Sequence, residues 1–337
     1  MATTRGLLLS LSLSLSLAMA SSGCGDDSHG APDLAVADLG AAGDLAVPDL
    51  ATTATAARGE ELVKHLLFCG SCHTTPDATG APSTAPSDFL AGGRKFVVAR
   101  DDDGGTATVY APNLTPDTTT GVGSWTASQI ADAVTVGVDK DGLPLWPTMP
   151  YPRFANLTPD DAASIALYLQ SLPAQSHVVP EDSAHPSLAA PAQDLTAIPH
   201  TTLAPSDPQY AAAERGRYLA NLGCLHCHTP DGPPPLGLDA ARAYAGGRLL
   251  ANGPRSIPSA NLTPDATGLA GWTLTELIAT LKSDLEKGTG AKLCPPMPGG
   301  PSGFGGLLDG DLRDLAAFVQ TLPKVVNGPF DCPDGGS

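Results

Sequence analysis

The sequence predicts an all-α fold made of two tandem domains joined by a Pro-rich linker. A set of short motifs occurs twice in the same order, which indicates an internal repeat. Helix-start patterns precede apolar stretches of helical period in both copies, whereas patterns typical of strands are few. The segment between the copies, residues 174–209, carries six prolines and is predicted to be an extended linker.

The repeat sets the domain boundaries. The paired motifs are G-G-R at 92–94 and 246–248, N-L-T-P-D at 113–117 and 261–265, W-T at 125–126 and 272–273, M-P at 149–150 and 297–298, and L-P at 172–173 and 322–323. The first domain is predicted to span residues 58–173 and the second residues 210–327. A C-terminal tail, residues 328–337, follows the second domain.

Local patterns place the helices within each copy. A Thr followed three residues later by Gln or Glu forms a capping box directly after each Trp, and predicts helices that begin at Thr126 and Thr273. The closing helices are predicted to have Thr158 and Asp309 as their N-caps. The side chains predicted to form their buried faces are Ile165, Tyr168, Leu169 and Leu172 in the first copy, and Leu312, Leu315, Phe318, Val319 and Leu322 in the second.

The charge of the chain excludes one class of function and favours one kind of partner. Eighteen Lys and Arg stand against 35 Asp and Glu, which gives a net charge of −17. A nucleic-acid-binding protein is expected to present a basic face, so this composition argues against nucleic acid as a partner. It favours proteins that present a basic docking patch.

The N-terminus predicts export from the cytoplasm. Residues 7–20 form a Leu/Ser-rich apolar stretch that is too short for a stable membrane span, so residues 1–23 are interpreted as an export signal. Two cleavage sites compete. Cleavage after Ala20 would release a soluble protein, whereas the sequence before Cys24 resembles a bacterial lipoprotein box in which that cysteine is lipidated.

Residues 24–57 are predicted to form a disordered tether. From residue 25 onward they contain six Asp and no Lys or Arg, interleaved with Ala, Leu, Gly and Pro, without a sustained helical period. One interpretation is a spacer that holds the domains away from a membrane surface. The alternative is a disordered N-terminus without such a role.

Two C-x-x-C-H motifs carry the chemistry of the chain, at 69–73 and 224–228. On a helical turn, cysteines at i and i+3 share one face and can bond the two vinyl groups of one haem, while the following His can ligate the iron. A zinc site and a redox-active disulfide are the alternatives. The pairs lie 155 residues apart in sequence, in separate copies, and neither has a thioredoxin-like strand-to-helix context. The sequence therefore predicts two covalently bound haems.

The methionines indicate the sixth iron ligands. The chain has four, of which Met1 and Met19 belong to the export signal. Met149 and Met297 occupy equivalent places in the two copies, each in a Pro-rich loop ahead of the closing helix. A core Met would instead be expected on an apolar helical face. Both are therefore interpreted as axial ligands, with core packing as the alternative.

Three cysteines remain after haem attachment. Cys294 lies three residues before Met297, and Cys332 lies in the C-terminal tail. In an oxidising compartment we expect these two to form a disulfide that restrains the second ligand loop. Cys24 then stays unpaired, which lipidation would explain.

The two copies resemble class I cytochromes c, with an N-terminal helix leading into C-x-x-C-H, a loop Met and a closing helix. The G-G-R and N-L-T-P-D elements resemble those of the cytochrome subunits of bacterial alcohol and sugar dehydrogenases and of related di-haem cytochromes. The resemblance implies a first iron bound by His73 and Met149 and a second bound by His228 and Met297. It also implies that the haems are attached covalently through Cys69, Cys72, Cys224 and Cys227. The side chains that it implies in contacts with haem propionates or haem edges are Arg94, Arg248, Trp125 and Trp272. Solvent exposure of the two Arg and core packing of the two Trp are the alternatives.

These features predict an electron carrier rather than an enzyme, and no residue is assigned a catalytic role. The expected function is electron transfer in the bacterial periplasm, from a dehydrogenase or quinol-linked donor to a downstream acceptor. The expected membrane contact is through a lipid anchor alone. One alternative is the electron-accepting subunit of a periplasmic dehydrogenase complex. The other is a di-haem peroxidase, which would need an iron with an open sixth position.

Overall fold

Helices dominate both copies of the repeat, and each copy adds one short β-hairpin. The computed structural model describes residues 54–100, 104–252 and 255–330. The predicted export signal, the tether up to residue 53, and two of the cysteines, Cys24 and Cys332, lie outside these ranges. Within these ranges, none of the helices is long and apolar enough to span a bilayer.

The first copy begins with a helix that leads into the first C-x-x-C-H motif. Helix α1 (Ala56–Glu61) continues as a π-helical turn (Leu62–Leu66) and is followed by the short helix α2 (Gly70–His73). The remaining elements, in chain order, are β1 (Lys95–Ala99), β2 (Thr106–Tyr110), α3 (Ala127–Thr135), α4 (Tyr151–Phe154) and α5 (Pro159–Ser171). Strands β1 and β2 pair antiparallel, with Lys95 opposite Tyr110.

The second copy follows a similar order of elements, with a 3₁₀ turn (Phe304–Gly306) where the first copy has α4. Helix α6 (Tyr210–Gly223) leads into α7 (Leu225–His228), which holds the second motif. The rest are β3 (Leu249–Asn252), β4 (Arg255–Pro258), α8 (Leu274–Ser283) and α9 (Asp309–Gln320). Short 3₁₀ turns (Pro86–Asp88, Ala240–Arg242 and Phe304–Gly306) complete the helical structure of the described residues.

Most predicted helix starts are confirmed. The Thr126 and Thr273 hydroxyls accept the N–H of the residue three positions on, and both capping boxes are complete. Thr158 caps α5 in the same way. The prediction that Asp309 caps α9 is wrong, because α9 already includes Asp309 and its N-cap is Leu308. The Asp309 carboxylate instead pairs with Lys282 of α8.

Each opening helix crosses its closing helix at a glycine. A Cβ atom built at Gly59 of α1 would lie 1.9 Å from the carbonyl oxygen of Ser164 in α5. At Gly216 of α6 the corresponding distance to the carbonyl oxygen of Asp314 in α9 is 1.8 Å. Only a residue without a side chain permits so close an approach, so these glycines set the helix crossings that build the core beside each C-x-x-C-H turn.

An ion-pair cluster joins the two copies. Arg58 donates from Nε to Asp161 at 2.9 Å and from Nη1 to Glu61 at 2.8 Å, both within the first copy. The same guanidinium also pairs with Asp311 of α9. Tyr218 of α6 donates its hydroxyl proton to Asp161 at 2.7 Å. Because these carboxylates surround one half-buried guanidinium, the cluster holds α1 and α5 against α6 and α9.

The segment of residues 174–209 lies against both copies. It contains neither helix nor strand, and Leu195 and Ile198 within it are buried. The Asn113 side-chain amide donates to the Gln175 carbonyl at 2.8 Å, and Arg217 donates to the Ile198 carbonyl at 3.0 Å. These contacts tie the segment to the first copy at one end and to the second copy at the other.

Candidate haem sites

The two attachment motifs form single helical turns. Cys69 directly precedes α2, and Cys224 directly precedes α7, so each motif occupies a turn that ends at its His. Four of the described cysteines are free, namely Cys69, Cys72, Cys224 and Cys227. The i and i+3 spacing therefore presents two free thiols on one side of each turn, which is the arrangement that bonding to the two vinyl groups of one haem requires.

The orientation of each motif histidine is fixed by a hydrogen bond. His73 Nδ1 lies 2.9 Å from the Pro112 carbonyl oxygen, and His228 Nδ1 lies 2.8 Å from the Ala260 carbonyl oxygen. Because a carbonyl can only accept, Nδ1 carries the proton in both rings. Burial lowers the pKa of both imidazoles below the ordinary value, so both rings are neutral at pH 7. Nε2 is therefore the nitrogen available to a metal ion.

The N-L-T-P-D elements hold these two carbonyl groups in place. Asn113, directly after Pro112, accepts the Thr115 N–H at 2.9 Å and its hydroxyl proton at 2.8 Å. Asn261 makes the same pair of bonds with Thr263 at 2.9 and 2.8 Å. All four side chains are buried. These asparagines therefore order the two loops, and the consequence is that each loop holds the acceptor for the histidine proton in position.

The two candidate axial methionines lie in equivalent turns. The Met149 N–H donates to the Trp146 carbonyl at 3.0 Å, and the Met297 N–H donates to the Cys294 carbonyl at 3.0 Å. Each side chain is half-buried and packs against the hydrophobic core. Neither residue lies in a helix. A thioether held by a loop at the core surface fits the ligand role better than simple packing on a helical face.

The raised pKa values of two motif cysteines argue against a redox-active disulfide. Burial and the adjacent Cys72 raise the pKa of Cys69 to about 12. Burial and Cys227 likewise raise the pKa of Cys224 to about 12. Disulfide exchange proceeds through a thiolate, and these groups stay protonated at neutral pH. The structure therefore disfavours a redox-active dithiol.

The G-G-R arginines support the attachment turns. Arg94 donates to the Ser71 carbonyl, and Arg248 donates to the His226 carbonyl at 2.7 Å. Ser71 and His226 are equivalent, because each directly precedes the second cysteine of its motif. Arg248 also pairs with Asp231 at 3.2 Å. The predicted contacts of Arg94 and Arg248 with haem propionates stay predictions. The hydrogen bonds in the structure give both arginines a further role, which is to hold the attachment turn.

The two tryptophans are half-buried against the core. Their backbone carbonyls accept amide protons from the closing helices, Trp125 from Gln170 at 3.2 Å and Trp272 from Gln320 at 2.7 Å. Trp272 also lines a cavity of about 240 Å³ together with Leu277. These contacts support the packing interpretation of both residues, while the predicted contacts with haem edges stay predictions.

Two residues near the motifs escaped the sequence analysis. His226, between the second pair of cysteines, is half-buried and its Nδ1 has no hydrogen-bond partner. Burial, together with the charges of Arg153 and Arg248, lowers the pKa of His226 to about 3. Arg153 follows Met149 by four residues, and its Nε is buried without a hydrogen-bond partner. The available signal was a difference between the copies, since Ser71 stands in the first copy where the second has His226, and Pro301 stands in the second where the first has Arg153.

The remaining cysteines lie partly outside the described residues. Cys294 is disulfide-bonded. The predicted partner, Cys332, and the predicted lipidation site, Cys24, both fall outside the described ranges, so the pairing and the lipidation stay predictions. A disulfide at Cys294 restrains the loop in which Met297 lies, three residues further on.

Both sites fit a covalently attached haem. Each combines two free thiols one helical turn apart, a buried neutral imidazole whose Nδ1 is already hydrogen-bonded, and a loop methionine at the core surface. These are the donor atoms of a thioether-bound haem with His and Met axial ligands. The fold and these sites define the class of protein as a c-type cytochrome.

Comparison with known proteins agrees with this class. Residues 56–173 match the cytochrome c family, so the chain contains a cytochrome c domain with covalently bound haem c. It is 29% identical over 283 residues to a diheme cytochrome c-type protein of Cereibacter sphaeroides, an alignment that covers 81% of this chain and 88% of that protein. The predicted resemblance to di-haem cytochromes is therefore confirmed.

Subunits of dehydrogenases are also similar. The cytochrome c subunit of a quinone-dependent alcohol dehydrogenase from Gluconobacter oxydans is 30% identical over 301 residues, which cover 80% of this chain and 55% of that subunit. The gluconate 2-dehydrogenase cytochrome c subunit of Pantoea cypripedii is 33% identical over 199 residues, covering 54% of this chain and 40% of that protein. The chain thus spans about half the length of these relatives or less.

Proposed function

We propose that the chain is a di-haem cytochrome with two tandem cytochrome c domains, and that it transfers electrons in the bacterial periplasm. Its donor is a dehydrogenase or a quinol-linked protein, and its acceptor lies downstream. The observation that carries the proposal is the duplication of one site. In both copies a motif histidine donates through Nδ1 to the carbonyl that precedes N-L-T-P-D, and a loop methionine occupies the equivalent turn.

The proposed chemistry assigns a simple role to each group. A bound haem supplies a one-electron iron couple, and a thioether ligand favours its reduced form. His73 and Met149 would hold the first iron, and His228 and Met297 the second, the two histidines through their Nε2 atoms. An iron held in this way on both sides by the protein would leave no place for peroxide or oxygen, which favours electron transfer over the peroxidase alternative.

The relatives favour a second candidate function. Several proteins similar to this chain are cytochrome c subunits of alcohol, gluconate or fructose dehydrogenases. In that case the chain would accept electrons from a catalytic partner chain in a complex. Co-purification of a tagged chain with a dehydrogenase subunit from its native membranes or periplasm would favour this role, whereas recovery of the chain alone would favour a carrier that is not part of a stable complex.

The partner and location follow from the charge and the N-terminus. A net charge of −17 favours docking to a basic patch and predicts that reduction by such a partner slows as salt increases.

We place the protein in the periplasm, anchored through a lipidated Cys24 after removal of residues 1–23. A mature N-terminal peptide that starts at Ser21 without lipid would contradict the anchor.

The second ligand loop carries the proposed disulfide. We propose Cys332 as the partner of disulfide-bonded Cys294. The pairing would join the tail to the turn that presents Met297 and limit the motion of that turn. Peptide mapping without reduction checks the pairing, and free thiols at both positions would contradict it.

The haem count tests the proposed function. Intact mass of the purified protein should show two covalently attached haems per chain, and both should undergo reversible one-electron reduction. Replacing both Cys69 and Cys72 by Ala should leave one haem, as should replacing both Cys224 and Cys227. The control Cys294→Ala lies outside both motifs and should retain two. A wild-type chain that carries a single haem would contradict the proposal.

A further inference from the structure

The segment that follows the first closing helix passes along the first haem site. It is bonded to the N-L-T-P-D element, where the Gln175 N–H donates to the Thr115 hydroxyl at 3.1 Å. Further on it lies beside β2, where the Thr108 N–H donates to the Ser183 hydroxyl and the Ser183 N–H donates to the Thr108 carbonyl, each at 2.9 Å. The segment therefore runs from the loop that orients the motif histidine to the hairpin of the same copy.

The same segment then contacts the turn that presents Met149, on both sides of the methionine. The indole Nε1 of Trp146, three residues before Met149, donates to the Ala184 carbonyl at 3.0 Å. After the methionine, the Tyr151 hydroxyl accepts the Ala190 N–H at 2.6 Å. Tyr151 is buried, and Trp146 and Met149 are half-buried. The ligand turn is thus held by two bonds to one passing segment.

Trp146 is the residue that joins the methionine to this segment. Its carbonyl accepts the Met149 N–H at 3.0 Å, and its indole donates to Ala184. The backbone of one residue therefore closes the ligand turn, while its side chain fastens that turn to the segment. Groups that hold a ligand in place from outside the coordination shell set how firmly the ligand binds its metal.

The second copy fastens its ligand turn with a different bond. The residues after its closing helix repeat the first contact of the segment, since the Val325 N–H donates to the Thr263 hydroxyl at 3.2 Å. Cys294 stands where the first copy has Trp146, three residues before the methionine. Cys294 is disulfide-bonded. The same position of the repeat thus carries a fastening bond in both copies, although the two residues differ in chemistry.

The position of Cys332 in the sequence agrees with this comparison. Cys332, the proposed partner of Cys294, lies as far beyond the second L-P motif as Asp182 lies beyond the first. Asp182 precedes Ala184 by two residues. The proposed disulfide would therefore be the covalent counterpart of the hydrogen bond between Trp146 and Ala184.

We propose that Trp146 is a positioning residue for the first axial ligand, because its indole N–H fastens the turn of Met149 to residues 184–190. This inference rests on the proposed di-haem function and adds to it a residue that ligates no iron. Without the indole donor, the turn loses one of the two bonds that hold it against the segment. Met149 is then held less firmly, and an added ligand competes with it more successfully for the first iron.

Imidazole binding to the oxidised holoprotein tests the proposal. Imidazole that replaces a methionine removes the weak far-red absorption band that reports sulfur–iron ligation. Trp146→Phe keeps an aromatic ring and lacks the N–H donor, and we expect its first iron to bind imidazole about two- to tenfold more tightly, as the loss of one neutral hydrogen bond implies. The matched control Ser183→Ala removes a bond between the same segment and β2 and should leave imidazole binding unchanged.

Two background variants separate the irons. In Met149→Ala the remaining band reports Met297 alone, and adding Trp146→Phe should not alter its response to imidazole. In Met297→Ala the band reports Met149, and adding Trp146→Phe should make it disappear at lower imidazole concentrations. An equal effect of Trp146→Phe in both backgrounds would overturn the proposal, as would no effect in either or an effect of Ser183→Ala of the same size.

Hydrogen exchange in the wild-type protein needs no variant and decides the question if Trp146→Phe does not retain its first haem. Replacement of Met149 by imidazole should speed the amide exchange of residues 184–190, because the turn and the segment release each other. Unchanged exchange there would overturn the proposal. A wild-type chain with fewer than two haems, or without the far-red band, would refute the proposed function instead, and both are measured before imidazole is added.

Discussion

The arrangement of each site depends on single side chains whose partners are backbone atoms. The motif histidines donate to carbonyl groups, the asparagines of N-L-T-P-D hold the loops that carry those carbonyls, and the G-G-R arginines donate to the attachment turns. Backbone acceptors keep their positions only while the loop keeps its shape. The short motifs that the two copies share are therefore the residues that hold the loops around each haem site.

At the scale of single residues, the lowered pKa of Glu276 leads us to expect that the protein loses stability in acid. The Lys287 ammonium and the hydrogen bonds from Thr273 lower the pKa of Glu276 to about 2, from an ordinary value near 4.5. A group whose pKa is depressed by folding stabilises the native state above its unfolded pKa and loses that contribution as the pH falls. We expect part of the stability to be lost between about pH 4.5 and pH 2, and Glu276→Gln to remove that part.

Denaturant titrations at several pH values check this expectation. The first copy supplies a natural comparison, since its capping box already has Gln129 at the equivalent position, and Gln129→Ala should lower stability without changing the pH dependence. An identical pH profile for wild type and Glu276→Gln would contradict the prediction.

At the scale of elements, the helix pairs α1–α5 and α6–α9 build the core beside each attachment turn. Their close crossings depend on Gly59 and Gly216, which contact backbone oxygens of the partner helices. Replacing either glycine by a larger residue would cause a steric clash. The new Cβ would meet a backbone oxygen, which cannot rotate away as a side chain can. These crossings are the part of the fold that places the C-x-x-C-H turns against the core.

Gly216→Ala should therefore destabilise the protein by about 1–3 kcal/mol. Gly310, in the first turn of α9, is the matched control, because a Cβ there meets no atom within 4 Å. Gly310→Ala should be neutral or stabilising by up to about 1 kcal/mol. Chemical unfolding of the holoprotein compares the two variants, and equal effects would refute the steric argument.

The sequence predicted the features that depend on local chemistry. The capping boxes at Thr126 and Thr273, the start of α5 at Thr158, and the buried face of α9 were all correct, because each depends on neighbouring residues along the chain. The two β-hairpins were missed, since their strands are short and Val97 and Leu249 point apolar side chains to solvent. Asp309 was assigned as a cap from residue type alone, whereas its tertiary partner Lys282 decides its role.

The contact between Phe68 and Phe304 could not be predicted from the sequence. It depends on how the first copy packs against the second, and no local pattern encodes that contact. The same holds for the cluster around Arg58 and for the path of residues 174–209, which a Pro-rich composition predicts to be extended but does not place against either copy. The repeat thus predicted two similar units, and tertiary packing supplied the relation between them.

At the scale of the whole molecule, the two copies form a single packed structure. The Arg58 cluster, the aromatic contact between Phe68 and Phe304, and the bond from His65 to the Gly303 carbonyl at 3.1 Å all cross between the copies. Such contacts fix the relative position of the attachment turns, which freely swinging domains would not do. A fixed relation between two redox sites supports electron transfer between them inside one chain.

Tyr218→Phe tests this packing. The Tyr218 hydroxyl donates to the buried carboxylate of Asp161 in the other copy at 2.7 Å, and a hydrogen bond to a charged group contributes about 1.5–3 kcal/mol. We expect a loss of that order in the free energy of unfolding. Tyr210→Phe is the control, because the Tyr210 hydroxyl makes no hydrogen bond to the rest of the described chain. A loss no larger than that of the control would contradict a fixed contact between the copies.

The optical spectrum of the holoprotein tests the central claim most directly. In the oxidised protein, the weak far-red band that reports sulfur–iron ligation should be present, should fall by about half in Met149→Ala and in Met297→Ala, and should vanish in the double variant. That result would establish two closed, six-coordinate haems suited to electron transfer. A high-spin haem in the resting wild-type protein that binds carbon monoxide or peroxide would contradict the account and favour an enzyme with an open iron.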